Sequence, residues 1–294
     1  MKEATQLNYA PKVRTTLLPS GRPIPVLGQG TWRMGEIAAR FQLEVEALRF
    51  GLDLGMNLID TAEMYGEGGA EEVVAEAIAG RREEVFVVSK VYPHNATRGG
   101  AIEACERSLR RLKTDYIDLY LLHWRGGVAL KETVAAFQQL KEAGKILEHG
   151  VSNFDVSDMD QWVALAGSDE VATNQVLYNL EHRGIEYALI PWSRVKRIPI
   201  MAYSPVGHRP DEQKRLLNDR NLKSVAAAHN ATPAQIALAW VLREADIIAI
   251  PKASRSEHIR ENRAALDIKL TSDDLAKLDQ SFPPPSRKTP LEML

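Results

Sequence analysis

Four residues of types that move protons stand at or just beyond the ends of three successive apolar runs. Leu58-Ile59-Asp60 stops on a carboxylate, with the Tyr65 phenol a few residues on at the Gly66 corner. Val85-Phe86-Val87-Val88-Ser89-Lys90 stops on an amine, and Ile117-Asp118-Leu119-Tyr120-Leu121-Leu122-His123 stops on an imidazole. A phenol beside an ammonium can act as a general acid near neutral pH, because the positive charge favours the phenolate and lowers a pKa that starts near ~10. Lys90 supplies that charge, Asp60 holds Lys90 charged and oriented, and His123 comes within hydrogen-bond reach of the same substrate oxygen. Each residue alone has a plainer role: a turn cap, a packed ring, a solvated lysine, a satisfied histidine. Their common place at strand ends is what raises chemistry above those roles, since barrel enzymes keep their reacting groups there.

The elements that must position them alternate regularly. From Val26 an apolar run of four to eight residues, a loop and an amphipathic segment of ten or more recur, a pattern that implies a parallel sheet. Strands are predicted near residues 26–31, 58–62, 85–90, 117–123, 147–152, 172–177, 198–204 and 247–252. Helices are predicted near 43–55, 70–80, 98–112, 130–143, 155–166, 186–196, 232–244 and 255–266, with extra helices near 219–228 and 273–280. Thr232-Pro233 reads as an N-cap followed by proline, and Gly55, Gly80 and Gly144 fall where helices should stop. Eight strand-and-helix units close into an α/β fold, a (β/α)8 TIM barrel. An N-terminal β-hairpin over Thr15 to Val26, turning at Pro19-Ser20-Gly21, precedes it. Residues 1–13 are expected to be loosely held, and a short irregular C-terminal tail runs from Phe282 to Leu294. No Gly-, Ser- or Pro-rich linker divides the chain, so 1–294 reads as one domain.

Composition narrows the partners. Lys plus Arg total 37 against 39 Asp plus Glu, a net charge of -2 that offers no footprint for nucleic acid or an anionic membrane. The single cysteine, Cys105, sits on the apolar face of a helical pattern and reads as a buried structural thiol. One cysteine excludes an intramolecular disulfide, the N-terminus lacks the apolar core of a signal peptide, and no stretch approaches membrane-spanning length. A cytoplasmic enzyme or regulator acting on small molecules, expected to be a monomer, fits these features. The seven histidines have no metal-ligand spacing, and Gly150-Val151-Ser152-Asn153-Phe154 lacks the last glycine of a nucleophile elbow. Gly28-Gln29-Gly30 would open a dinucleotide fingerprint, but its final slot is Arg33.

The chain resembles the aldo-keto reductases over roughly residues 15–280. The likeness is carried by Gly30-Thr31-Trp32, Asp60-Thr61-Ala62-Glu63-Met64-Tyr65-Gly66, Ser89-Lys90 and Leu121-Leu122-His123-Trp124. It continues through Gly150-Val151-Ser152-Asn153, Asn174-Gln175, Ala202-Tyr203-Ser204-Pro205, and Ile250-Pro251-Lys252 leading to Glu261-Asn262. The likeness looks strongest to small bacterial members that reduce methylglyoxal and similar 2-oxoaldehydes. The resemblance implies NADPH-dependent reduction of aldehydes and ketones, with NADH a weaker second cofactor and no metal. It implies a catalytic tetrad of Asp60, Tyr65, Lys90 and His123, with Tyr65 as general acid. Ser152, Asn153 and Gln175 match residues that hold the nicotinamide carboxamide, and Tyr203 the ring it stacks on. Thr31, Trp32, Asp60, Ser204, Pro205, Lys252, Glu261 and Asn262 complete the implied cofactor contacts. Trp32, Tyr65, Tyr92, His123 and Trp124 are implied to meet the substrate, with His94 beside them.

The chain also departs from the family. Many members have Ser after Ile-Pro-Lys and Arg six residues beyond the Lys, where this chain has Ala253 and His258. The adenosine phosphate pocket is therefore expected to be rebuilt, around Ser254 and Arg255, with His258 also among the cofactor contacts. The short loop Trp124-Arg125-Gly126-Gly127 and the short tail predict an open substrate pocket. Two other functions share these features: a regulatory barrel subunit that binds the cofactor with incidental turnover, and a barrel aldolase using Lys90 as a Schiff-base lysine.

Overall fold

The computed structural model describes residues 13–294. Of the stretch 1–13 expected to be loosely held, only Val13 falls among the described residues, and it is buried.

A hairpin pairs β1 (Thr15–Leu17) antiparallel with β2 (Pro23–Pro25), Thr16 opposite Ile24. Eight parallel strands follow: β3 (Gly28–Gly30), β4 (Leu58–Asp60), β5 (Phe86–Val91), β6 (Ile117–Leu122), β7 (Ile146–Ser152), β8 (Val171–Leu177), β9 (Ile200–Tyr203) and β10 (Ile247–Ala249). They run in chain order across one sheet. The seam closes where Leu27 bridges Ala249 and the amides of Ala249 and Gly30 donate to the carbonyls of Val26 and Pro251 at 2.8 and 3.0 Å. Gly30 is required there, since a Cβ would come within 2.8 Å of the Ile250 carbonyl oxygen. The predicted (β/α)8 barrel and hairpin are both present.

The outer layer comprises α1 (Phe41–Asp53), α2 (Gly69–Ala77), α3 (Arg98–Leu112), α4 (Leu130–Glu142), α5 (Val156–Ala166), α6 (Leu189–Lys196), α7 (Pro210–Leu217), α8 (Arg220–Ala228), α9 (Pro233–Val241), α10 (Ser256–Ala264) and α11 (Ser272–Ser281). Local chemistry starts several of them. Thr232 and Thr271 each form a reciprocal capping box, with Gln235 and Asp274 respectively, and Thr97 and Asp219 accept backbone amides at the heads of α3 and α8. Helix α7 was not expected from the sequence. Its signals are local: Pro210 in the first turn, Asp211 and Glu212 beside it, Lys214 and Arg215 in the last turn.

Two apolar layers sandwich the sheet. The outer one joins the outward strand faces to the helices. The inner one fills the barrel with Leu58, Phe86, Val88, Leu119, Leu121, Met201 and Ile248, and the hairpin adds Leu18 and Ile24 from below. Inward residues alternate along each strand. Two positions above Leu58 comes Asp60, above Val88 comes Lys90, above Leu121 comes His123, and above Met201 comes Tyr203. The polar residues are thus the top layer of a core that is apolar beneath them. The opposite end is closed by Ser20 Oγ donating to Glu148 at 2.7 Å and by Arg22 and Arg82 gripping the Asp118 carboxylate.

The tail after α11 is irregular, as expected, but tethered. Arg183 donates to the Phe282 carbonyl, Lys288 lies 3.0 Å from Asp155, and Glu292 lies 3.1 Å from His182. Its last residue, Leu294, brings its backbone to the Tyr203 hydroxyl, so the tail reaches the rim that its shortness was expected to leave open.

Candidate active site

All the predicted site residues lie at the C-terminal rim, on strand ends or in the loops and helix that leave them. Asp60 ends β4, Lys90 is in β5, His123 follows β6, Ser152 ends β7, Gln175 is in β8 and Tyr203 ends β9. Tyr65 opens a short 3-10 turn, Tyr65–Gly68. Gly66 takes φ +57° there, and a Cβ on it would press to 2.9 Å from the Met34 carbonyl oxygen.

The centre of the site is Lys90, whose side chain is wholly buried. Its ammonium donates to Asp60 Oδ2 at 2.8 Å, to the Thr61 carbonyl at 2.9 Å and to Tyr65 Oη at 3.1 Å. An ammonium has three protons and all three are placed. Burial pulls the Lys90 amine down, yet Asp60 and Tyr65 outweigh it, and its pKa is raised above the ordinary lysine value. Burial pushes the Asp60 carboxyl up, opposed by Lys90 and by Gln175. Gln175 Nε2 donates to Asp60 Oδ1 at 2.7 Å, so both carboxylate oxygens accept a bond.

Tyr65 departs from expectation in one respect. Burial pushes its phenol above the ordinary value; the Lys90 charge opposes this and Asp60 adds to it. The lysine lowers the phenol only relative to where burial alone would leave it, because the low-dielectric surroundings disfavour a phenolate. His123 is pushed well below its ordinary value, by burial and then by Lys90, so its imidazole is neutral. Its ring meets the Tyr65 ring edge-on at 5.8 Å between centroids.

Beside this cluster Ser152 Oγ donates to the Gln175 carbonyl at 2.8 Å, and Asn153 Nδ2 lies 3.2 Å from both Ser152 Oγ and the His123 carbonyl. Tyr203 Oη donates to Asn153 Oδ1 at 2.9 Å, which fixes the half-buried ring. Trp32 lies 4.5 Å from His208, and Tyr92 contacts His94 at 4.6 Å and Trp124 at 5.9 Å. These rings form two groups: Tyr92, His94, Trp124 and His123 are joined by direct contacts, while Trp32 pairs with His208. Thr31 is buried and donates to the Asp60 carbonyl at 2.9 Å; Ser204 and Pro205 lead out of β9.

The far end of the rim carries contacts that the sequence did not announce. Arg255 does not stand free beside Ser254: its guanidinium contacts His258 Nε2, whose Nδ1 lies 3.0 Å from Glu261 Oε2. Lys252 is exposed, with Ser254 nearby in the chain, and Asn262 is half-buried on α10. Although the residue is exposed overall, partial desolvation of its amine holds Lys252 below its ordinary value; Glu44 and Glu36 oppose this, and the charges of Arg40 and Arg33 add to it. Arg33 and Arg40, together with Glu44 and Glu36, thus belong to this corner of mixed charge, and the two arginines were missed from the sequence. So were His208 and the buried Glu63, whose Oε1 accepts from the Tyr92 amide at 2.8 Å and Asn95 Nδ2 at 3.0 Å. Glu63 had a signal, a carboxylate inside the Asp60–Tyr65 stretch; Arg33, Arg40 and His208 had none.

Backbone strain marks the same rim. Seven non-glycine residues among those described have positive φ; Lys113, Arg197 and Asn230 end helices, where such a conformation is ordinary. The other four, Arg33, Glu67, Asn153 and Ser204, all lie in loops leaving the strands' C-terminal ends. Such strain gathers where surrounding structure holds a functional site.

An eight-stranded parallel barrel with a buried Lys–Asp pair bonded to a half-buried Tyr on its C-terminal rim is an enzyme architecture, and comparison with known proteins supplies the kind. Residues 26–282 match the sequence profile of the aldo/keto reductase family. The chain is 52% identical over 271 residues to methylglyoxal reductase YeaE of Escherichia coli K12, covering 92% of this chain and 95% of that protein. It is 32% identical over 269 residues to the glyoxal reductase of Bacillus subtilis, covering 90% and 91%. A crystal structure of an aldo-keto reductase from Klebsiella pneumoniae in complex with NADPH superposes with TM-score 0.92 at 50% identity, covering 96% and 99%. The chain belongs to the aldo/keto reductase family and is an oxidoreductase.

Proposed function

We propose that this oxidoreductase uses NADPH to reduce methylglyoxal, related 2-oxoaldehydes and aromatic aldehydes to alcohols, with Tyr65 as the general acid. The observation that carries this reading is the direction of the Lys90–Tyr65 bond. Lys90 can only donate, so Tyr65 Oη accepts from it at 3.1 Å and keeps its own proton for a second partner.

The donor set suits a nicotinamide. Gln175 commits Nε2 to Asp60 and retains Oε1 as an acceptor, Ser152 and Asn153 supply polar atoms beside it, and the Tyr203 ring offers a fixed flat face. When bound, the cofactor supplies a hydride to the carbonyl carbon. The protein's share is to protonate the carbonyl oxygen: Tyr65 releases its proton, and Lys90, held charged by Asp60, stabilises the phenolate that remains. A neutral His123 beside Tyr65 can donate a hydrogen bond to the same oxygen and orient it. Lys252, with Arg33 and Arg40 near it, would meet the phosphate of the adenosine end. The aldolase alternative is disfavoured because a Schiff base needs an uncharged Lys90 amine, and all three of its protons are bound.

Mixing the protein with NADPH and methylglyoxal or a nitrobenzaldehyde, and following the loss of NADPH absorbance, tests the proposal. Turnover at an enzyme's rate is expected. A protein that binds NADPH but does not consume it with either carbonyl would instead be the cofactor-binding regulatory subunit.

A further inference from the structure

We infer that Gln175 is a positioning residue for proton transfer: its side-chain amide holds the Asp60 carboxylate and, through it, Lys90 and Tyr65. The inference rests on the reading of Tyr65 as general acid given above, and adds a role that cofactor binding does not require.

Strands β8 and β4 are not neighbours in the sheet, so the 2.7 Å bond from Gln175 Nε2 to Asp60 Oδ1 crosses the barrel interior. The orientation of the amide follows from its surroundings. Nε2 also lies 3.0 Å from Met201 Sδ, and neither an ionised carboxylate nor a thioether can donate, so the NH2 group must face them. Each Asp60 oxygen then has one donor, Lys90 on Oδ2 and Gln175 on Oδ1, from opposite walls of a site where Asp60 and Gln175 are each only 2% exposed. In such a place an ionised oxygen without a donor is strongly disfavoured.

The charged and titratable groups around Asp60 are Lys90 from β5, Tyr65 from the loop after β4 and His123 from the end of β6, with Gln175 from β8 the neutral donor. Without the amide, Asp60 would take a proton at higher pH and cease to balance the Lys90 charge. Asp60, Lys90 and Tyr65 form one chain of bonds, so a loss at Gln175 is felt at the phenol.

The experiment is a pH profile of kcat at saturating NADPH, with deuterated NADPH to confirm that the chemical step is observed, alongside fluorescence titration of NADPH. Gln175→Met should lose roughly tenfold or more in kcat, the size expected when a buried hydrogen bond to a charge is lost. Its acid limb should move to higher pH. Gln175→Glu keeps the side-chain volume and should carry that limb higher still, because two carboxyls then compete for one proton. A weaker NADPH affinity in both variants with the wild-type kcat and acid limb at saturation would overturn the inference and leave Gln175 a cofactor ligand only. Tyr65→Phe in the same assay separates the two readings. If it retains turnover, the general-acid assignment fails whatever Gln175 does; if it is inactive while the Gln175 profiles match wild type, only the present inference falls.

Discussion

Lys90 Nζ and Tyr65 Oη lie 3.1 Å apart in a bond that can run only from the ammonium to the phenol, which leaves the phenolic proton directed away from the lysine. Burial holds the phenol above its ordinary pKa, with Lys90 the only one of its named charged neighbours that lowers it. A protonated phenol at neutral pH with an ammonium ready to receive the phenolate is the state a reductase needs.

Tyr65→Phe removes one oxygen and should leave the half-buried ring in place. Turnover should fall by ~10²–10⁴-fold or more, the range for a lost general acid, while NADPH affinity is retained. Steady-state kinetics with fluorescence titration checks both halves, and unchanged turnover would remove Tyr65 from its role.

Lys90→Met and Asp60→Asn should differ in degree. Removing Lys90 deletes the charge proposed to stabilise a Tyr65 phenolate and leaves Asp60 as a buried carboxylate without its cation, a loss of about 3–5 kcal/mol of stability if that carboxylate stays ionised. Asp60→Asn keeps an oxygen to accept from Lys90 and should lose less activity. A larger activity defect in Asp60→Asn than in Lys90→Met would contradict this order, and thermal melts of both variants separate catalytic from structural loss.

Much of this site was legible because its residues obey short-range rules. Asp60, Lys90 and His123 close apolar runs with the alternation of strands, and a barrel brings strand ends together without further information. The raised Tyr65 pKa was not legible, since its first cause is burial, which exists only once the barrel has folded. Nor was the Gln175–Asp60 bond, which joins residues 115 apart across the barrel. The direction of Arg255 was not legible, because a side chain at a helix start can turn outward to a ligand or along the helix; in this structure it contacts His258. Helix α7 carried its own signals, but it sits in a loop between strands where the alternating pattern called for none.

Acid should destabilise the protein through His149, which lies outside the candidate site. Its ring is buried against Phe137 and Trp162 at 5.6 and 6.2 Å, and neither ring nitrogen has a hydrogen-bond partner among the described residues. Burial, then the Lys141 charge, pulls its pKa from 6.5 down to about 4. Above pH 6.5 both folded and unfolded forms are neutral there and His149 contributes no pH dependence. As pH falls below that value the unfolded chain binds a proton that the folded chain refuses, so stability declines until about pH 4, by about 3 kcal/mol in all. His149→Phe should flatten this part of the curve of unfolding free energy against pH. A variant whose acid sensitivity over that window equals the wild type would assign the loss to other groups.

Cofactor choice should turn on Lys252 more than on Arg255. A ribose 2′-phosphate needs cationic partners; Lys252 is exposed at the rim with Arg33 and Arg40, as well as Glu44 and Glu36, as neighbouring charges, whereas Arg255 is engaged with His258. Charge-assisted contacts of ~1.5–3 kcal/mol correspond to roughly ten- to a hundredfold in dissociation constant, so NADPH should bind more tightly than NADH by that factor. Lys252→Ala should erase most of the difference by weakening NADPH and leaving NADH unchanged, and Arg255→Ala should remove less of it. Fluorescence titration of both cofactors against the parent and the two variants decides the matter. Equal affinities in the parent would exclude a 2′-phosphate site at this corner, and a larger effect from Arg255→Ala than from Lys252→Ala would mean that the Arg255–His258 contact opens to bring the guanidinium onto the phosphate.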